Sequence, residues 1–176
     1  MTLPNEAVKR IISVSPTTRI LETTNWKFMR GDVNFNFNKQ TGFMQRWGET
    51  KEHDPDFAPC PEILDIEITT KCNGPANKLC GFCYKSNNPN GHNMTFDQFK
   101  NIIDKMPFLT QCALGADAQG VTNPDMFQMM EYARSQGIMP NLTIASTHEG
   151  KMYIANGYHD RDPSAKIVIR RKKTEI

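Results

Sequence analysis

The chain has 176 residues, 38% of them hydrophobic, with a formal charge of +2. That length suits one ordinary domain with a real core, and so small a charge does not indicate nucleic acid as a partner. No basic segment leads into an apolar stretch at the N-terminus and no run of 18 apolar residues occurs, so neither secretion nor membrane spanning is expected and the cytoplasm is the default compartment.

Residues 1–30 carry mixed signals and stay largely unassigned. From Asp32 onward Val33, Phe35 and Phe37 alternate with asparagines, the period of a half-buried strand. Lys39-Gln40-Thr41-Gly42 reads as a turn and Phe43–Trp47 as the returning strand, a hairpin expected to cap or edge a larger core. Residues 48–61 are polar and carry three prolines, as a linker does. The run EILDIEITT, 62–70, has isoleucines at 63, 66 and 68 and is expected to form a buried strand.

A long loop follows, Lys71 to about Met94, and it holds Cys72, Cys80 and Cys83. Loops of this length without structure of their own usually carry function. The CxxC spacing of Cys80 and Cys83 brings two sulfurs to one metal centre, and Cys72 adds a third thiolate seven residues upstream of the pair. Three thiolates suit a metal or iron–sulfur cluster and leave one coordination position open. Cys112 lies in an apolar run and is expected to be a small buried hydrophobe, while Cys60, between two prolines, receives no role.

Thr95-Phe96-Asp97-Gln98 predicts a helix start with a capping box, Met94 and Phe99 forming the hydrophobic staple. Phe96, Phe99, Ile103 and Met106 recur at helical spacing until Pro107. Residues 110–115 predict a second buried strand. Asn123-Pro124 predicts a cap and first-turn proline for a helix ending near Gln136, with Gly137 as its stop. Met126, Met129 and Met130 are expected to fill core gaps rather than to form a binding face. A third strand is expected from Asn141 to Ala145. The last segment, 147–176, is loop-like with a possible strand over 165–170 and a basic, solvated tail. The order strand, helix, strand, helix, strand describes a parallel sheet, whose sites gather at the carboxyl ends of the strands.

With an aromatic residue, Phe82, directly before Cys83, and a βαβ unit downstream reading PNLTIAS in its last strand, residues 62–146 resemble the radical S-adenosylmethionine enzymes. The resemblance implies a partial (β/α) barrel of about three βα units, preceded by an N-terminal segment with the β-hairpin (1–61) and followed by a C-terminal tail (147–176). It implies a [4Fe-4S] cluster on Cys72, Cys80 and Cys83, S-adenosylmethionine chelated to the open iron, and reductive cleavage to a 5′-deoxyadenosyl radical that takes hydrogen from a substrate. It further implies cofactor contacts at Phe82, at Gly115, Ala116 and Asp117 in place of the family's Gly-Gly-Glu-Pro turn, and at Ser146 or Thr147 at the end of the third strand. An electron donor is an implied partner, and the short chain raises a second chain completing the barrel. Three features depart from the family: seven residues between the first two cysteines instead of three, aspartate for glutamate at 117, and the missing proline. Two alternatives remain at this level, a structural zinc site closed by His92 with the three cysteines and a noncatalytic fragment of such an enzyme.

Overall fold

The computed structural model describes residues 5–72, 89–115 and 123–142. The N-terminal part is a five-stranded antiparallel meander: β1 Arg10–Ser13, β2 Arg19–Glu22, β3 Trp26–Arg30, β4 Asn34–Asn38 and β5 Met44–Trp47, hydrogen-bonded in sequence order. The pleat sends alternate residues to opposite faces. Ile20, Met29 and Phe35, which are cross-strand partners in series, have no exposed surface and build one inner core with Ile12, Val33 and Phe37.

The second part alternates β6 Ile63–Ile66, α1 Phe96–Asp104, β7 Gln111–Leu114, α2 Met126–Ser135 and β8 Met139–Leu142. Its strands form a three-stranded parallel sheet in the order β6-β7-β8. Ile66, Cys112 and Leu114 of the sheet pack with Phe99 and Ile103 of α1 and with Met126, Met129 and Met130 of α2. Thr95 accepts from the Gln98 N–H at 3.2 Å while its own N–H donates to the Gln98 side chain at 2.9 Å, the reciprocal arrangement that starts α1. Gly137, at φ 70°, ends α2: its N–H donates to Arg134 O and that of Ile138 to Ala133 O, both at 2.9 Å. This is a Schellman closure, which needs the left-handed conformation that glycine adopts freely.

The expected partial (β/α) barrel with an N-terminal hairpin is therefore corrected. Most of the regular structure is β, and its larger part is an antiparallel sheet in a region left unassigned from sequence; the hairpin is only its last two strands. The parallel part is a sheet of three four-residue strands with two helices, not a barrel wall, among the described residues. Strands β1 and β2 are short and mostly solvated, with one fully buried apolar side chain in β2 and one nearly buried in β1, so they leave no periodic signature.

The two sheets meet at the amino ends of the parallel strands. Before β6, Glu62 pairs with Arg46 of β5 at 3.2 Å. Before β7, the carbonyls of Pro107 and Leu109 accept from the Lys27 ammonium at 3.3 and 2.7 Å. At β8, Met139 joins the inner core of the meander, and Arg134 donates to Lys39 O at 2.6 Å. The antiparallel sheet thus closes the amino edge of the parallel sheet and leaves the carboxyl edge uncovered by it.

Lys27 is fully buried in this joint, and burial pulls its pKa from 10.5 down to about 8, with Glu22 opposing and Lys39 and Arg10 assisting. The unfolded chain keeps that proton up to about pH 10.5, whereas the folded chain releases it near pH 8. Between those values the unfolded state holds more protons, so this lysine makes stability rise with pH; below the window its cost is constant. Urea titrations of the parent and of Lys27→Met are expected to differ by a term that climbs through the window by at most on the order of 3 kcal/mol. A difference independent of pH would refute a neutralising Lys27.

Candidate functional site

The carboxyl edge is built from the exits of β6 and β7. Past Ile66 the first strand runs on through Ile68 and Thr69, both buried, and meets the chain again on its return from the cysteine loop. Met94 N–H donates to Ile68 O, and Thr70 N–H to His92 O, each at 2.9 Å. His92 N–H donates to the Thr70 hydroxyl at 2.8 Å, and the Thr69 hydroxyl bonds the Asn93 side chain at 2.7 Å across an antiparallel bridge. Segments 68–70 and 92–94 are therefore the stem of the loop, fixed in register at its base. Cys72, 8% exposed, lies two residues beyond the last rung.

Asn123 bolts this stem to the rest of the molecule. Its side-chain amide donates to Ile68 O at 2.6 Å and to Met94 O at 2.9 Å, one carbonyl from each side of the stem. Its carbonyl oxygen accepts from the Asp125 N–H at 2.9 Å, and the Asp125 carboxylate accepts from the Phe96 N–H at 3.1 Å. The sequence reading made Asn123 the cap of α2. The helix begins at Met126 with Asp125 before it; the Asn123 oxygen holds the turn ahead of α2 through the Asp125 N–H, while its amide goes to the loop stem. Gly91 is required for a different reason: a Cβ there would collide with the carbonyl carbon and oxygen of Thr70.

On the neighbouring strand Gly115 follows β7 in the left-handed conformation, φ 66°, buried, with its N–H donating to Ile66 O at 3.0 Å. Its N–H is thus committed to β6 and is not a free donor. Cys80, Phe82, Cys83, Ala116, Asp117, Ser146 and Thr147 lie outside the described residues. The exposed His92 is held by its backbone on Thr70, and its side chain lines an open groove of about 490 Å³ beside the stem. Glu67, Thr69, Gln98 and Asn101 line the same groove. Among the described residues no three His, Cys, Asp or Glu side chains gather to hold a metal, two of the three loop cysteines being outside that set. No helix among them is long and apolar enough to cross a membrane.

The remaining cysteines lie in the two cores, away from the loop. Cys112, fully buried in β7, has its thiol pushed up to about 12 by burial. Cys60, buried in the meander core, is raised to about 11 by burial and then by Glu62. Sequence reasoning missed the stem residues Thr69, Thr70, Gly91 and Asn93, whose only signal was a threonine pair before the loop and a glycine after it.

No family model, no curated protein and no solved structure matches the chain.

Removing the Asn123 amide leaves Met94 O without its donor and weakens the hold on Ile68 O. Asn123→Ala is expected to destabilise the fold by roughly 1–3 kcal/mol and to speed hydrogen exchange at the Thr70 and Met94 amides more than in β3. Exchange accelerated equally in both sheets would argue against a local bolt. Gly91→Ala is expected to disturb the same two amides through its collision with Thr70.

Proposed function

We propose that the loop carries a [4Fe-4S] cluster on Cys72, Cys80 and Cys83 and that the protein uses it with S-adenosylmethionine. The observation that carries the reading is the stem: both ends of the cysteine loop are held in one register, with Cys72 buried just beyond the last rung. The donor set fits the group, since three thiolates bind three irons and leave the fourth free for a ligand. When bound with S-adenosylmethionine and given an electron by a separate donor, such a cluster supplies one-electron cleavage of the sulfonium to a 5′-deoxyadenosyl radical, which takes hydrogen from a substrate.

The chain's own residues have simpler tasks. The stem hydrogen bonds oppose spreading of the loop ends and so limit how far Cys72 can move from its partners. Buried Ile68, Thr69 and Cys72 exclude water from the base of the loop. Gly115 follows β7 on the same edge, and Ala116 and Asp117 come next in sequence as candidates for the amino group of the cofactor. The groove beside the stem supplies polar groups, Glu67, His92, Gln98 and Asn101, at the edge where a substrate would approach.

Anaerobic reconstitution with iron and sulfide is expected to give a brown protein with about four irons per chain. Cys80→Ala and Cys83→Ala should each lose it without lowering the thermal midpoint of the apo-protein. Dithionite with S-adenosylmethionine should then release 5′-deoxyadenosine from the reconstituted parent alone. A colourless protein holding one zinc per chain overturns the cluster, and a stable cluster that releases no 5′-deoxyadenosine overturns the catalytic part.

A further inference from the structure

The outward face of the meander carries a feature that the cysteine loop does not use. By the pairing register, Trp26, Phe28 and Arg30 of β3 point to this face, with Asn36 and Asn34 opposite on β4 and Trp47 opposite Asn34 on β5. The rings of Trp26 and Phe28 stack 5.7 Å apart and 11° from parallel. The Arg30 guanidinium continues the row, 5.2 Å from the Phe28 ring centre and 5.4 Å from that of Trp47. Both tryptophans of the chain therefore lie on this one face, each partly exposed, at the two ends of a row whose middle ring, Phe28, is buried beneath them and Arg30.

Charge says what the row would meet. The charged strand residues of this face are Arg19 and Arg30, directly opposite each other across β2 and β3, and the register places no carboxylate there. Like charges directly opposite destabilise a sheet pair. Arg30 is half-buried, its guanidinium donating to Met29 O, Phe35 O and Asn36 Oδ1 at 2.6–2.8 Å, and no carboxylate faces it among the described residues. Its hydrogen bonds fix the plane of the cation without neutralising it, and burial lowers its pKa with no acidic neighbour to restore it. Glu22, the acid nearest in β2, points to the other face toward Lys27 and bonds Lys39 at 2.9 Å.

We infer that this face binds single-stranded nucleic acid, bases stacking on Trp26 and Trp47 and backbone phosphates meeting Arg19 and Arg30. Base–aromatic stacking needs flat, partly exposed rings at intervals, and the phosphates need cations that the protein has not already paired. A neutral glycan would stack on the tryptophans but gain nothing from two opposed arginines. A duplex keeps its bases stacked on each other and would leave the rings uncovered. The inference is independent of the cluster, since the meander lies at the amino edge of the parallel sheet and the cysteine loop at its carboxyl edge.

The test is fluorescence anisotropy of the full chain with labelled oligouridylate and oligothymidylate of about 12 nucleotides, followed by quenching of intrinsic fluorescence, which here comes from Trp26 and Trp47. Binding is expected to weaken as salt rises and to quench the tryptophans. Trp47→Ala and Arg19→Glu should each weaken it by about five-fold or more, with Arg19→Glu, an exposed position that would set a carboxylate opposite Arg30, not lowering the thermal midpoint. Absence of binding, equal affinity in both variants, equal binding of a duplex of the same length, or binding of a neutral glucan in place of the oligonucleotides would each overturn it. Equal affinity in both variants would assign the strand to another surface.

Discussion

Asn123 gives its two amide hydrogens to the carbonyls of Ile68 and Met94, and that pair of bonds holds the start of α2 against both sides of the loop stem. The need it meets is general in this molecule. Short strands leave buried and partly buried carbonyls beyond their ladders, and these find donors from other elements. Lys27 answers for Pro107 and Leu109, and Arg134 for Lys39. A donor that must reach across elements also fixes the distance between them. The same bonds that satisfy the backbone therefore set where α2 and the two sheets stand.

This arrangement separates the ends of the parallel sheet. At the amino edge, Arg46, Lys27 and Arg134 each bridge to the opposite sheet, so the meander is joined there at the entrances to β6 and β7 and beside β8. At the carboxyl edge, the stem of the cysteine loop and Gly115 lie on adjacent strands, tied by the bond from Gly115 to Ile66. Joints between sheets thus concentrate at one edge and loop architecture at the other. The row of Trp26, Phe28, Arg30 and Trp47 belongs to neither, because the pleat turns it away from the joint that Lys27 makes from the same strand.

Local chemistry was legible in the sequence where a few adjacent residues decide the structure. Thr95 with Gln98, Gly137 after α2, and the turn between Phe37 and Met44 all follow from side chains within a few positions of each other. The meander was not legible beyond that hairpin. Its middle strand buries a lysine whose partners lie about 80 positions away in sequence, and β1 and β2 bury one isoleucine each, too few to show a period. Asn123 was legible in part: its oxygen takes the Asp125 N–H just ahead of α2, as its neighbours suggest, but its amide reaches two carbonyls distant in sequence. The barrel expectation extended a local βαβ pattern to a closed architecture, which short-range pattern does not encode.

Burial also says what the two cysteines outside the loop can do. Thiolates, not thiols, bind metals. Cys112 sits within the parallel-sheet core and Cys60 within the meander core, and burial pushes their thiols to about 12 and about 11. Near neutral pH both stay protonated, and neither is on the carboxyl edge. Cys72 is buried too, but at the mouth of a loop that supplies two more sulfurs within eleven residues. The hydrogen-bonded stem behind Cys72 holds the two ends of the loop together, which lowers the entropic cost of closing it. The register of Thr69 against Asn93 thus gives the base of the cysteine-bearing loop a fixed place on this protein.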